Sequence, residues 1–94
     1  MAPAAEEKAF LRSAVAAIPR IAEIVCAFPP EDRAGALETA ERRFMETALK
    51  SGCTEIAARS RVSAVMGRLR RRVEEQRISE EKLRALLHRL TASD

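Results

Sequence analysis

The sequence has few of the side chains that enzymes use for catalysis. It contains one His, two Cys and three Gly, and neither Trp nor Tyr. Catalysis needs a nucleophile, a base or a metal ligand close to other such groups, and Cys26 and Cys53 stand in no metal-binding or redox spacing. The dispersed glycines form no phosphate-binding loop or dinucleotide fingerprint. We therefore predict a non-enzymatic protein with no catalytic residue, no metal site and no cofactor.

Long hydrophobic runs are also missing from the chain. Charges interrupt every apolar stretch well before the roughly 18 residues that a membrane-spanning helix requires. The N-terminal segment MAPAAEEKAF has acidic residues where a signal peptide needs basic ones, and no apolar core follows it. The two cysteines are expected to be reduced and to fill small buried positions. The sequence thus predicts a cytoplasmic protein with no membrane association.

Alanine supplies much of the hydrophobic content. Hydrophobic residues make up 47% of the 94 residues, but eighteen of them are Ala and only 3% of the chain is aromatic. Ala-rich helices pack closely, yet each contact buries little area, and a chain of this length buries only about two-thirds of its surface. We expect one domain over residues 1–94, for which self-association is a way to bury more surface.

Apolar residues recur at intervals of three and four along the chain, and no segment alternates with period two. This pattern predicts an all-α fold, a small four-helix-bundle-like single domain with short connections. The first helix is expected over about 4–28, with a kink at Pro19. The second is expected over 30–51, where Gly52 ends it with a left-handed cap.

Two further helices are predicted in the second half of the chain. The third covers about 54–77 and is capped by Thr54. The fourth covers about 80–91, because Ser79 can serve as its N-cap and Ile78 as part of a hydrophobic staple. Its apolar stripe is the clearest of the four and consists of Leu83, Leu86, Leu87 and Leu90.

The predicted third helix has two distinct faces. Its core face consists of Ala58, Val62, Val65, Met66, Leu69 and Val73. The opposite face is small and basic, and we predict that it contacts a partner through Ser60, Arg61, Ala64, Gly67, Arg68, Arg71 and Arg72. Six positive and no negative charges lie between Arg59 and Arg72. A mid-helix Gly costs roughly 1 kcal/mol relative to Ala, so Gly67 indicates a close approach to this backbone.

The segment Glu55-Ile56-Ala57, followed by Val62-Ser63, resembles the helix-turn-helix of bacterial response-regulator DNA-binding domains. This sequence has Ser60 and Gly67 where that family has apolar packing residues. The resemblance implies a DNA-binding regulator whose basic segment, Arg59 to Arg72, approaches the groove and the phosphates. The positions that it places there are Ser63, Ala64, Arg68, Arg71 and Arg72. One straight helix over the same stretch is the alternative.

Charge is distributed unevenly between the two halves of the chain. Residues 1–52 carry seven basic and eight acidic residues, whereas residues 53–94 carry ten basic and six acidic ones, within a net charge of +3. A basic second half fits an acidic partner such as nucleic acid. It also fits an acidic helix that lies beside a basic one in the same molecule.

Two functions are consistent with these features. The first is a small cytoplasmic interaction or regulatory module that forms a homodimer, or binds an acidic helical protein, through the small and basic face of the third helix. The second is a helix-turn-helix-like nucleic-acid-binding regulator. A third interpretation needs no partner, because arginine stems can cover the edges of an apolar stripe while their charged heads stay in water.

Overall fold

The computed structural model of the protein describes residues 2–92, with side chains described from residue 8 onward. Met1, Ser93 and Asp94, which belong to the predicted domain over 1–94, lie outside the described residues. Within the described range the chain forms α1 (Ala2–Ala27), a 3₁₀ turn (Pro30–Asp32), α2 (Arg33–Lys50) and α3 (Glu55–Ala92). The predicted all-α class is confirmed, since residues 2–92 contain no strand.

The predicted four-helix arrangement is wrong, because the third and fourth helices are one helix. α3 continues through the expected turn at 77–79 and is 38 residues long. Arg77 forms ion pairs with Glu74, one turn before it, and with Glu81, one turn after it. Such pairs stabilise a helix, and no Gly or Pro interrupts residues 68–92. Ser79 therefore lies inside α3 and does not cap a new helix.

α1 is one helix that contains Pro19, as predicted, and it ends at Ala27. The ending follows from the sequence, because a residue before proline disfavours helical angles and Pro29 and Pro30 come next. The two prolines also delay α2. The prediction began the second helix at residue 30, whereas Pro30–Asp32 forms a 3₁₀ turn and α2 begins at Arg33.

Arg33 ties the start of α2 to the end of α1. Its Nε donates a hydrogen bond to the carbonyl of Phe28 at 3.1 Å, and its Nη2 donates to the carbonyl of Cys26 at 3.0 Å. The last carbonyls of a helix have no partner within that helix. The guanidinium of Arg33 satisfies one carbonyl in the last turn of α1 and one just after it, and thereby fixes the geometry of the first connection.

The second connection is capped as the sequence predicts. Gly52 has a φ of 94°, a left-handed conformation that glycine adopts without strain. The N–H of Gly52 donates to the carbonyl of Leu49 at 3.1 Å, and the N–H of Cys53 donates to that of Ala48 at 3.2 Å, which is the Schellman hydrogen-bond pair. Thr54 then caps α3, since its Oγ1 accepts a hydrogen bond at 3.2 Å from the N–H three residues on.

The core consists mainly of one stripe from α1 and one from α3. All six residues predicted for the core face of the third helix are buried. The α1 stripe contributes Phe10, Ala14, Ile18, Ala22, Val25 and Cys26. α2 contributes less, since Ala48 is its one buried residue.

α1 and α3 run in the same direction. Near the middle of α1, Ile18 lines a surface groove together with Arg68. At the end of α1, the Sγ atom of Cys26 lies 3.8 Å from the carbonyl oxygen of Val73. Later residues of α1 therefore meet later residues of α3.

α2 runs antiparallel to α3. Its earlier residue Glu41 lies 3.8 Å from Arg70 of α3, measured between Oε2 and Nη2. Its later residue Met45 lines a groove with Val62, which comes earlier in α3. The three helices thus form an up-down-up arrangement in which α2 leads from the end of α1 back to the start of α3.

α3 is longer than the helices on which it packs. Val73 is its last buried residue and lies beside the end of α1. We call residues 78–92 the extension and the rest of the described chain the body. At 1.5 Å per residue the extension is about 22 Å long, and the molecule measures 67 by 22 by 15 Å. The four leucines of the apolar stripe predicted for the fourth helix lie in the extension and are 55–63% exposed.

Candidate interaction surfaces

The predicted partner-binding residues lie together on the solvent side of α3. Arg61 is half-buried and the other six, Ser60, Ala64, Gly67, Arg68, Arg71 and Arg72, are exposed. A Cβ atom added at Gly67 would meet no atom within 4 Å among the described residues. The space beside this mid-helix glycine is therefore open in the single chain, and its role as a contact point stays a prediction.

Some arginines of the basic segment pair with acids of the same molecule. Arg59 forms an ion pair with Glu55, one turn earlier in α3, at 2.8 Å. Arg70 lies 3.8 Å from Glu41 of α2. These side chains are roughly half exposed or more, and exposed ion pairs contribute at most about 1 kcal/mol. The contact of Arg70 with Glu41 of the acidic second helix is therefore a weak one.

Three other arginines lie along the edge of α3 that faces α1. Arg68, Arg71 and Arg72 line a shallow groove of about 230 Å³ together with Val15, Ile18, Pro19 and the acidic Glu75. Within the part of the chain that the structure describes, none of these three guanidinium groups forms an ion pair. Guanidinium groups bind carboxylates and phosphates with two parallel hydrogen bonds. This edge can therefore receive anionic groups of a partner.

The helix-turn-helix that the resemblance implies is not formed. Its turn would fall at Val62-Ser63, but α3 is continuous from Glu55 to Ala92 and Val62 is buried in the core. Ser60 and Gly67, which replace apolar packing residues of that family, are exposed on the outer side. The alternative of one straight helix is the arrangement observed, so two separate helices cannot be placed across a DNA groove here.

A second surface lies between α1 and α2 and was not predicted. This α1–α2 groove has a volume of about 590 Å³ and no residue of α3 lines it. The α1 side of the groove consists of Ile21, Ile24 and Val25, with Phe28 just after the helix. The other side consists of Asp32 of the 3₁₀ turn and of Gly35, Ala36, Thr39, Ala40, Arg43 and Phe44 of α2, so the lining is mostly apolar with one acidic and one basic residue. Ile24 and Phe28 are 52% and 44% exposed. A concave apolar surface of this kind can bind the apolar face of an amphipathic helix.

The third surface is the leucine stripe of the extension, formed by Leu83, Leu86, Leu87 and Leu90. Their spacing places them on one side of the helix. Leu83, Leu87 and Leu90 continue the steps of three and four that begin with Leu69 and Val73, through the half-buried Gln76 and Glu80. The leucine stripe therefore points to the side of α3 on which α1 and α2 lie.

Arg77 stabilises the helix where the extension leaves the body. Its Nε donates a hydrogen bond to Glu74 Oε2 at 3.1 Å. This hydrogen bond holds the pKa of Glu74 below its usual range, and the same carboxylate raises the pKa of Arg77. Both groups therefore stay charged at neutral pH, and their pairing supports helical structure across the junction.

The two cysteines are buried thiols, as predicted. Burial raises the pKa of Cys26, and the nearby charge of Arg33 offsets this in part. Since the thiolate is the reactive form, burial makes this thiol less reactive. Within residues 2–92, no group of three or more His, Cys, Asp or Glu is arranged to hold a metal ion. None of the described helices has the length and apolar character to cross a membrane.

The sequence predicted the apolar stripe of leucines correctly, but not its exposure to solvent. The apolar spacing of the stripe is typical of a buried side of a helix. The predicted turn at 77–79 would have folded that helix back onto the other three. The sequence also contains a feature that indicates the α1–α2 groove. Gly35, Ala36, Thr39 and Ala40 put small side chains at steps of one, three and four along one side of α2, which leaves room for another helix.

No protein-family model matches this sequence, and neither a curated protein nor a solved structure matches the chain. Function therefore has to be inferred from the three surfaces themselves. They are the small and basic face of α3, the α1–α2 groove and the leucine stripe.

Proposed function

We propose that the protein is a small helical interaction module, a non-enzymatic protein that acts by binding another helical surface. One observation carries this proposal: the leucine stripe is held on a helix that leaves the body, with Leu83 61% and Leu90 63% exposed. Contiguous exposed apolar side chains on a small protein are typical of protein-binding sites. The regulatory role and the cytoplasmic location expected from the sequence remain predictions.

The size of the stripe supports a binding role. Burying a fully exposed leucine contributes about 1.5–3 kcal/mol, so covering the exposed share of all four would contribute about 4–7 kcal/mol. The entropy lost on association costs about 4 to 15 kcal/mol. The stripe alone therefore provides a marginal contact, and a partner that binds well must also cover a second surface of the molecule.

The way in which the stripe is presented also supports this role. The extension needs no separate nucleation, because it continues a helix whose Leu69 and Val73 are fixed in the core. Arg77 pairs with acids on both sides of the junction. A helix that is ordered before binding loses less conformational entropy when it binds.

Thiol labelling at two positions in the extension tests this proposal. Leu87→Cys places a thiol on the stripe, and Ala85→Cys places a matched thiol on the opposite side of the same helix. In dilute protein both thiols should react quickly, while the buried Cys26 and Cys53 react slowly. Slow labelling of Leu87→Cys at every dilution, with fast labelling of Ala85→Cys, would contradict the proposal, because the stripe would then be packed on its own body.

A second candidate function is binding to nucleic-acid phosphates through Arg68, Arg71 and Arg72. The observation that favours it is the cluster of three guanidinium groups that form no ion pair among the described residues. The test is a titration with generic duplex DNA at two salt concentrations. Neutralising the three arginines should reduce the log-log salt slope by about 0.9 for each phosphate that the protein no longer neutralises. If the unmodified protein does not bind DNA at low salt, this candidate is excluded.

A further inference from the structure

We infer that a second copy of this chain fills the α1–α2 groove with its leucine stripe, and that the two copies do so reciprocally. This partner assignment rests on the interaction function proposed above and goes further, because it names both the partner and the receiving site. One chain carries a projecting apolar stripe and an open apolar groove. The stripe projects and the groove is concave, so the two surfaces are complementary in shape.

The extension cannot reach the groove of its own body. Val73 lies beside Cys26 near the end of α1, and Leu83 comes ten residues later in the same unbroken helix, about 15 Å farther along its axis. The groove lies on the side of α1 and α2 away from α3, since no α3 residue lines it. A continuous helix cannot turn back to that side, so only another molecule can join the two surfaces.

The stripe and the groove have matching dimensions. Leu83 and Leu90 are seven residues apart, a rise of about 10.5 Å along a helix. The facing wall of the groove runs from Ile21 in α1 to Phe28 just after it, which are also seven residues apart. In the first half of the α2 wall, Gly35, Ala36, Thr39 and Ala40 have small side chains, and a Cβ atom added at Gly35 would meet no described atom within 4 Å. A helix can therefore approach α2 closely enough for its leucines to contact the floor of the groove.

The orientation of the stripe permits a closed pair. The stripe points to the side of α3 that carries α1 and α2. A two-fold axis perpendicular to α3, near the end of α1, places each extension along the α1–α2 groove of the other copy. Such a contact is self-complementary and closes at two molecules, whereas a one-way contact would propagate into a filament.

Reciprocal docking also supplies the area that one contact lacks. A stable interface buries about 1,600 Å² in total, and a single short helix in a groove provides only part of that. Two equal contacts in one dimer double the buried area without any further surface. Each body would then hold four packed helices, three of its own and one from the second copy.

Sedimentation equilibrium of the full chain and of matched charge variants tests the reciprocal dimer. The unmodified chain should be a dimer at high micromolar concentration. Leu87→Glu on the stripe and Ile24→Glu in the groove should each weaken dimerisation by more than about tenfold, because a carboxylate would be buried without a partner. The matched controls are Ala85→Glu, on the far side of the extension, and Ile56→Glu, at a position 85% exposed and outside both surfaces. Both controls should dimerise like the unmodified chain.

Mixing the two interface variants tests reciprocity. A heterodimer of Leu87→Glu with Ile24→Glu keeps one intact contact, in which the unmodified extension of one copy enters the unmodified groove of the other. Each variant alone has no intact contact. The mixture should therefore form more dimer than either variant alone, and circular dichroism should show that both variants are folded.

Three results would overturn this assignment. A monomer at high micromolar concentration would show that no second copy binds. Unchanged dimerisation of Ile24→Glu, with weaker dimerisation of Leu87→Glu, would show that the extensions pair with each other outside the groove. Unchanged dimerisation of both variants, with weaker dimerisation of Gly67→Leu, would move the interface to the small and basic face of α3. In the first case, fast labelling of Leu87→Cys would leave the interaction function standing with a different partner.

Discussion

The body and the extension both carry leucine on the same stripe of α3, but the leucine is buried in the body and exposed in the extension. Leu69 is fully buried and Leu87 is 55% exposed, although both belong to the run of three- and four-residue steps along α3. The difference arises in the neighbouring helices. α1 ends at Ala27, because Pro29 and Pro30 follow, and every residue of α3 from 81 to 92 is exposed. The apolar spacing of a helix thus predicts that a side will be covered, but not which molecule covers it.

The largest expected effect comes from making one substitution in both regions. Leu69→Ala should lower the free energy of unfolding by about 2–5 kcal/mol, because it leaves a cavity in a core with few large side chains. Leu87→Ala should lower it by less than about 0.5 kcal/mol in dilute protein, as expected for an exposed position. Urea midpoints of the two variants measure both effects. Equal losses would mean that the extension packs on its own body.

A proline at residue 79, where the extension leaves the body, should unfold the extension and leave the body folded. Ser79→Pro removes one backbone hydrogen bond and crowds the preceding turn, which costs a helix about 3 kcal/mol or more. This cost should fall on the extension, so far-UV circular dichroism should lose helical signal while the urea midpoint of the body changes little. Ser79→Ala is the control and should keep the full signal. A large drop in the urea midpoint for Ser79→Pro alone would show that the regions unfold as one unit.

A substitution at Gly67, on the solvent side of the body, should change the free energy of unfolding by a smaller amount. Gly67→Ala should raise the free energy of unfolding by up to about 1 kcal/mol, because the added Cβ meets no described atom and alanine favours the helix. Gly67→Leu should leave dimerisation unchanged if the extension and the groove form the interface. Weaker dimerisation of Gly67→Leu in sedimentation would instead assign the contact to the small and basic face.

The smallest expected effect is a pH dependence from Cys26. Burial raises the pKa of this thiol above its ordinary value of 9.0 in the folded state. Above that pH the folded protein therefore holds the proton more tightly than the unfolded chain does, and stability falls as the pH rises. Urea unfolding at alkaline pH should show this decline, and Cys26→Ala should reduce it. A rise in stability over the same pH range would contradict the buried thiol.

Local sequence signals predicted the body well. The φ of Gly52, the cap formed by Thr54 and the six core residues of α3 all follow from interactions within a few residues or from helical spacing. The junction at Ile78-Ser79 was misjudged for a physical reason. Ser79 can cap a helix, but the ion pairs of Arg77 with Glu74 and Glu81 favour a continuous one. Two local preferences competed there, and a cap signal alone does not break a helix.

The candidate site was only partly predictable. Six of the seven residues of the small and basic face of α3 are exposed, as their position opposite the core stripe implies, but their role in binding stays a prediction. The α1–α2 groove depends on how two helices pack, and small residues such as Gly35 and Ala40 do not by themselves show whether a neighbour fills the space. The exposure of Leu83 and Leu90 depends on where α1 ends relative to α3, which is a tertiary property.

Amide hydrogen exchange across α3, measured in dilute protein and at high micromolar concentration, tests the division into body and extension most directly. Amides of the body part of α3, up to residue 77, should be protected to the same extent at both concentrations, because the core of one chain covers them. Amides of residues 78–92 should exchange quickly in dilute protein, since a short exposed helix frays, and more slowly when a second copy docks. Strong protection of residues 78–92 at both concentrations would contradict the account, because the extension would then be stabilised by its own chain.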